Sequence, residues 1–176
     1  MRADQVSSIA TSALEREVTE LFEEFRSPLL RYLMSLGVGV QDGEEIVQEV
    51  FLALFNHLRN GKPRHNLRGW IFRVGHNQAL KLRESNRARV LDTVDDSVDS
   101  HPDLGPTPEE QALMNQRQRR LEAVVRALPP QDRACLSLRA EGFRYREIAE
   151  IVGISLGAVA SSLELSLAKL SCVQER

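Results

Sequence analysis

The chain has 176 residues, 42% of them hydrophobic, and a formal net charge of −2, which supports one folded domain or two small ones and excludes a disordered chain. No apolar run approaches the roughly 20 residues that span a bilayer, and the polar N-terminus lacks a signal peptide's apolar core, so a cytoplasmic protein without membrane insertion is expected. The two cysteines, Cys135 and Cys172, lack ligand spacing with any second Cys or His pair, so they fit reduced thiols and no metal or cofactor is expected.

Residues 1–10 read as a mobile leader. From Thr11 to Leu36 the apolar positions Leu14, Val18, Leu21, Phe22, Phe25, Leu29, Leu30 and Leu33 keep a helical period, and Pro28 predicts a break or bend into two helices. Gly37-Val38-Gly39 closes the segment, and Asp42 is placed to cap the next helix with Glu45 three residues on. In that helix Ile46, Val47, Val50, Phe51, Leu54 and Leu58 form one buried stripe. After Asn60-Gly61-Lys62-Pro63 a second helix begins at Arg68, where cations alternate with aromatic and amide side chains. Residues 11–90 thus make a helical domain.

From Leu91 to Glu110 the acids Asp92, Asp95, Asp96, Asp99, Asp103, Glu109 and Glu110 accumulate among prolines, without a Lys or Arg. Such a stretch buries too little apolar area to offset its ordering entropy, so residues 91–107 are expected to be an acidic flexible linker. A solvated tether and a polyanion that lies in a basic channel are both compatible with that composition.

Residues 108–176 form a second helical domain. Thr107 can cap and Pro108 opens a helix through Leu113, Leu121, Val124, Val125 and Leu128, which stops at Pro129-Pro130. A short helix to Arg139 follows. Then Phe143 to Val159 carries a helix-turn-helix pattern: Ile148, Ala149, Ile151 and Val152 face inward, Gly153 turns, Ile154 plugs the corner, and Ser155 caps a helix expected to be buried through Leu156, Val159, Leu163, Leu167 and Leu170. No lasting alternation of β-branched and polar residues occurs, so the fold class is all-α: two small helical domains and a linker.

With both halves read, the chain resembles the extracytoplasmic-function (ECF) sigma factors, compact members of the sigma-70 family that direct bacterial RNA polymerase to promoters. Asp42 to Phe51 looks like the family's polymerase-binding helix. Arg68 through Asn77 is similar to the segment that opens the minus-ten element, and Leu128-Pro129-Pro130 through Ile154-Ser155 to the minus-thirty-five reader. The resemblance covers roughly Val18 to Leu170.

The resemblance implies that Asp42, Glu45, Gln48, Glu49, Leu52 and Asn56 grip the polymerase clamp helices. An apolar residue ringed by acid and amide groups suits a protein-binding patch, although an ordinary solvated acidic face has the same composition. Minus-ten contact falls to Arg68, Trp70, Arg73, His76, Asn77, Lys81, Arg83, Arg87 and Arg89, which offer cations, amides and aromatic faces to an opened strand. Trp70 and Phe72 are equally suited to the core, and Lys81 stands where the family commonly has an acid. Minus-thirty-five contact falls to Arg139, Arg144, Tyr145, Arg146, Ser155, Gly157, Ala158, Ser161 and Ser162.

The chain departs from the pattern of the family it resembles at the recognition helix. Ala160, Ser162, Glu164 and Leu165 occupy places where polar or basic groups are expected, and a glutamate repels the DNA backbone. Three readings stay open: weak Ser-based readout helped by tethering to polymerase, docking of Ala158, Ala160, Leu165 and Ala168 on a protein such as an activator or another copy, and loss of upstream recognition; the resemblance also allows an anti-sigma factor as a partner of the chain. A polymerase-binding regulator or decoy is the alternative function. The scattered His57, His65, His76 and His101, with no glycine-rich phosphate loop, argue against an enzyme.

Overall fold

The computed structural model describes the backbone of residues 2–90 and 108–174, with side chains over 12–86, at 116 and over 118–172. Among these residues there are seven helices and no strand. The stretch assigned as a linker, Thr107 and the side chains of Leu113, Arg87 and Arg89 lie outside the described residues.

Helix α1 spans Arg2–Ser35 without interruption, Pro28 included. The expected break or bend at Pro28 is thereby corrected. A proline inside a helix loses one ladder hydrogen bond and crowds the carbonyl four residues back, at about 3 kcal/mol. Leu29, Tyr32 and Leu33 directly after it are fully buried, each contributing roughly 1.5–3 kcal/mol, so packing outweighs the local preference. The expected leader from Arg2 to Ala10 is helical too: it holds neither Gly nor Pro, and extending an existing helix needs no new nucleus. Gly37 ends α1 in the left-handed region at φ +86°, where Gly37 N–H donates to Met34 O and Val38 N–H to Leu33 O.

Helix α2 (Val40–Arg59) starts three residues earlier than the Asp42 cap implied. Its N-cap is Gly39, with no side-chain cap bond, and Asp42 sits in the first turn, where its charge still suits the helix dipole. Ile46, Val47, Val50, Phe51, Leu54 and Leu58 are buried as one stripe. Asn66 opens α3 (Leu67–Val90), its Oδ1 accepting Gly69 N–H at 3.1 Å. The three helices close on a core centred on Leu29, Tyr32, Leu54, Ile71 and Phe72, tightened by an edge-on Phe22–Phe51 pair at 5.1 Å.

The second module consists of α4 (Pro108–Ala127), α5 (Pro130–Ala140), α6 (Tyr145–Val152) and α7 (Leu156–Gln174). Prolines occupy the first position of α4 and α5, where a missing N–H costs nothing. Helices α6 and α7 meet at 104°, within the range of a helix-turn-helix. Gly153 makes the turn at φ +76°, and Ser155 Oγ accepts Ala158 N–H at 3.1 Å as the cap of α7. The α7 register differs from the expected one. Leu156 and Leu167 are 46% and 55% exposed, whereas Val159, Ser162, Leu163 and Ser166 face the core. A leucine count favours the wrong seam here because two buried positions carry serine.

The two modules pack together. The Phe72 and Phe143 rings meet edge to face at 4.8 Å, the Arg68 guanidinium lies 4.1 Å over the Phe143 ring and also donates to Glu141 O. Arg31 on α1 makes a bidentate pair with the Glu141 carboxylate, the Nη2 contacts being 3.1 and 3.2 Å. Phe143, fully buried, joins the cores of both halves.

Candidate functional site

Helix α2 has two faces because its apolar residues repeat at three- and four-residue steps. Opposite the buried stripe, Asp42, Glu45, Gln48 and Glu49 are exposed and Asn56 is half-buried. Leu52 lies among them at 64% exposure. A leucine left outside the core and ringed by acids and amides has the composition of a protein-binding patch.

Helix α3 divides its sequence-predicted residues by register. Arg73, Asn77 and Lys81, spaced at four-residue steps, form one exposed stripe. Arg68, Phe72 and His76, also at four-residue steps, turn inward toward α1 and the second module. His76 is 4% exposed, so its expected contact with DNA is corrected. Its Nδ1 lies 2.7 Å from Tyr32 Oη; a neutral phenol donating to a neutral imidazole satisfies both groups. Burial, and then the Arg83 charge, lowers the His76 pKa to about 4, while burial raises that of Tyr32. Arg83 is half-buried. Trp70 is half-buried too, its ring 4.9 Å from that of His57, a packing role beside the expected one.

On the second module Arg144, Tyr145, Arg146, Gly157 and Ser161 are exposed, and Ala158 is half-buried. Arg139 donates to Phe143 O at 3.0 Å with its guanidinium 5.7 Å from the Tyr145 ring. The exposed Ser155 is occupied in part by capping. Ser162 is the second correction: it is 3% exposed and donates to Asp132 Oδ1 at 2.6 Å, holding α7 to α5. The sequence pattern places it one step from Ser161, and at 100° per residue one step separates solvent from core.

Arg31, Glu141 and Phe143 were missed as functional candidates. Phe143 follows a glycine at the entry to the helix-turn-helix, and that position could have been suspected; the reach of Arg31 across 110 residues has no local signal. Among the described residues no group of His, Cys, Asp and Glu could hold a metal ion, and no single helix is long and apolar enough to cross a membrane.

Residues 21–89 match the family model for sigma-70 region 2, and residues 118–170 the one for sigma-70 region 4. The chain is 30% identical over 146 residues to the ECF RNA polymerase sigma factor SigE of Mycolicibacterium smegmatis, across 82% of this chain but only 56% of that relative's length. It is 26% identical to the RNA polymerase sigma factor CnrH of Cupriavidus metallidurans, across 97% and 94% of the two chains. The structure of CnrH in complex with the cytosolic domain of CnrY superposes with a TM-score of 0.62 at 25% identity, over 96% of this chain and 94% of that one. The sigma factor RpoE of Bartonella quintana, solved with the anti-sigma factor NepR, shares the fold with a TM-score of 0.68 at 20% identity, over 89% and 97% of the two chains. Two region models in family order, on helices that carry an acidic face, a basic stripe and a helix-turn-helix, have one meaning: the chain belongs to the sigma-70 family, among its extracytoplasmic-function sigma factors.

Proposed function

We propose that this protein is a cytoplasmic, non-enzymatic initiation factor that binds core RNA polymerase through α2, holds the opened minus-ten strand along α3, and contacts the upstream promoter through α6 and α7. The observation that carries the reading is the placement of Leu52 among Asp42, Glu45, Gln48, Glu49 and Asn56. Leu52 is left outside the core, and the patch lies on the helix whose sequence resembles the family's polymerase-binding segment. Minus-ten contact rests on Arg73, Asn77 and Lys81, with Arg68, Trp70, Arg83, Arg87 and Arg89 contributing when the modules separate. His76 supports that surface from inside.

Upstream contact rests on Arg139, Arg144, Tyr145, Arg146, Gly157, Ala158 and Ser161, with Ser155 fixing the helix start and Ser162 its packing. The domain division into residues 11–90 and 108–176, with a linker between, fits this division of labour. An anti-sigma protein is a further partner of the kind seen in the complexes of CnrH and RpoE.

A second reading, a polymerase-binding regulator whose helix-turn-helix meets a protein, is favoured by the recognition helix: between Leu156 and Ala168 it carries no cation and one exposed acid, Glu164. In vitro transcription with purified bacterial core polymerase separates the two. Promoter-dependent transcripts with this protein as the only sigma support the first reading, and stable core binding without any transcript supports the second.

A further inference from the structure

We propose that the upstream-facing groove of the helix-turn-helix reads thymine by its 5-methyl group, an inference that rests on the duplex contact proposed above. The start of α6 and the start of α7 enclose an open concavity of about 920 Å³, lined on the α6 side by Arg144, Tyr145, Arg146 and Glu147 and on the α7 side by Leu156, Gly157 and Ala160. The two arginines are exposed and suit the phosphates on the groove edges. The Glu147 carboxylate is occupied in accepting Arg144 N–H at 2.8 Å, and the α7 side of the lining is apolar.

Two features of that lining are not demanded by the fold. Leu156 is the first residue of α7 and stays nearly half exposed. A Cβ added at Gly157 would meet no atom within 4 Å, so packing gives no reason for a glycine in a helix, where it is intrinsically poor. What the missing side chain leaves is room for another molecule to approach the backbone closely.

The hydrogen-bonding inventory then limits what can be read. Ser162 is turned to Asp132, Ser155 Oγ accepts the Ala158 N–H, Leu156, Gly157 and Ala160 have no polar side-chain atom, and the exposed Ser161 does not line the concavity. No guanidinium or amide projects from the outer face of α7 near its start, so α7 itself does not make the bidentate contacts that select guanine or adenine, and the arginines on the α6 side are assigned to phosphates. In the major groove, the one base feature that an apolar side chain selects is the thymine methyl. Leu156 and Ala160 are of the right kind, and Gly157 lets them reach the groove floor.

The test uses the full chain with core polymerase. An upstream duplex is selected from a random pool, and deoxyuridine then replaces thymine at single upstream positions, removing only the methyl. Binding is followed by fluorescence anisotropy. Each methyl seated against Leu156 or Ala160 is expected to account for about a fourfold change in Kd, the factor for burying one such group, and Leu156→Ala should abolish the thymine preference at its position. Gly157→Ala, which the fold accommodates, should keep or raise the Tm and weaken the duplex. Arg144→Gln should weaken thymine and uracil duplexes equally and flatten the salt dependence. Equal affinity for thymine and uracil duplexes, with Arg144→Gln still harmful, would overturn the methyl proposal and leave the duplex contact standing. Absence of any upstream selection, with Arg144→Gln neutral, would remove both.

Discussion

The Arg68 guanidinium lies 4.1 Å over the Phe143 ring, so a cation that the sequence assigns to promoter DNA is held by the other module of the same chain. Stacking of this kind is worth about 0.5–2 kcal/mol, and the carbonyl of Glu141 adds a hydrogen bond. The exposed stripe of Arg73, Asn77 and Lys81 is not engaged in this way. Closure of the two modules therefore withdraws one end of the α3 surface and leaves its middle open.

Phe143→Ala should loosen the joint between the modules. Removing a buried phenylalanine costs about 3–5 kcal/mol where the site cannot collapse. Energy transfer between dyes on the exposed Cys172 and on an introduced Lys62→Cys should fall, with helicity retained by circular dichroism. Unchanged transfer would mean that other contacts hold the joint.

Arg31→Glu and Glu141→Arg should each weaken the same joint, and the double reversal should recover most of the loss. Arg31 remains 62% exposed, so the coupling is at most about 1 kcal/mol and shrinks with salt. A double-mutant cycle on the unfolding free energy measures it.

Stability should depend on pH through His76. Its folded pKa of about 4 lies below the ordinary value of 6.5, so between those limits the unfolded chain binds more protons. The contribution is fully present above about pH 6.5 and is lost as the pH falls to about 4, to the extent of roughly 3 kcal/mol. Melting curves of the protein and of His76→Gln should diverge in this window; parallel curves would contradict the assignment.

Ser162→Ala should lower stability by about 1–3 kcal/mol, because Asp132 loses its buried donor, and should leave duplex affinity unchanged. A selective loss of affinity at full stability would return Ser162 to the DNA-facing set.

The α2 stripe was legible because six apolar residues repeat with one period and nothing competes with them. The α7 seam was not, since Ser162 and Ser166 are buried in place of leucines and only tertiary partners such as Asp132 disclose it. His76 shows the same limit. Its spacing from Arg68 and Phe72 was visible in the sequence, but which of two parallel α3 stripes faces outward is decided by α1, through Tyr32. Pro28 misled because the burial of its neighbours, a property of the whole module, exceeds a local cost. The contact of Arg31 with Glu141 spans the chain and depends on how the modules meet.

The most direct measurement is association with purified bacterial core RNA polymerase, compared for the protein and its Glu45→Lys, Glu49→Lys double variant. Submicromolar binding by the unaltered chain and at least a tenfold loss in the variant, with melting unchanged, is the predicted result. A chain that shows no affinity for core enzyme, or a variant that binds as well as the original, would contradict the role given to α2.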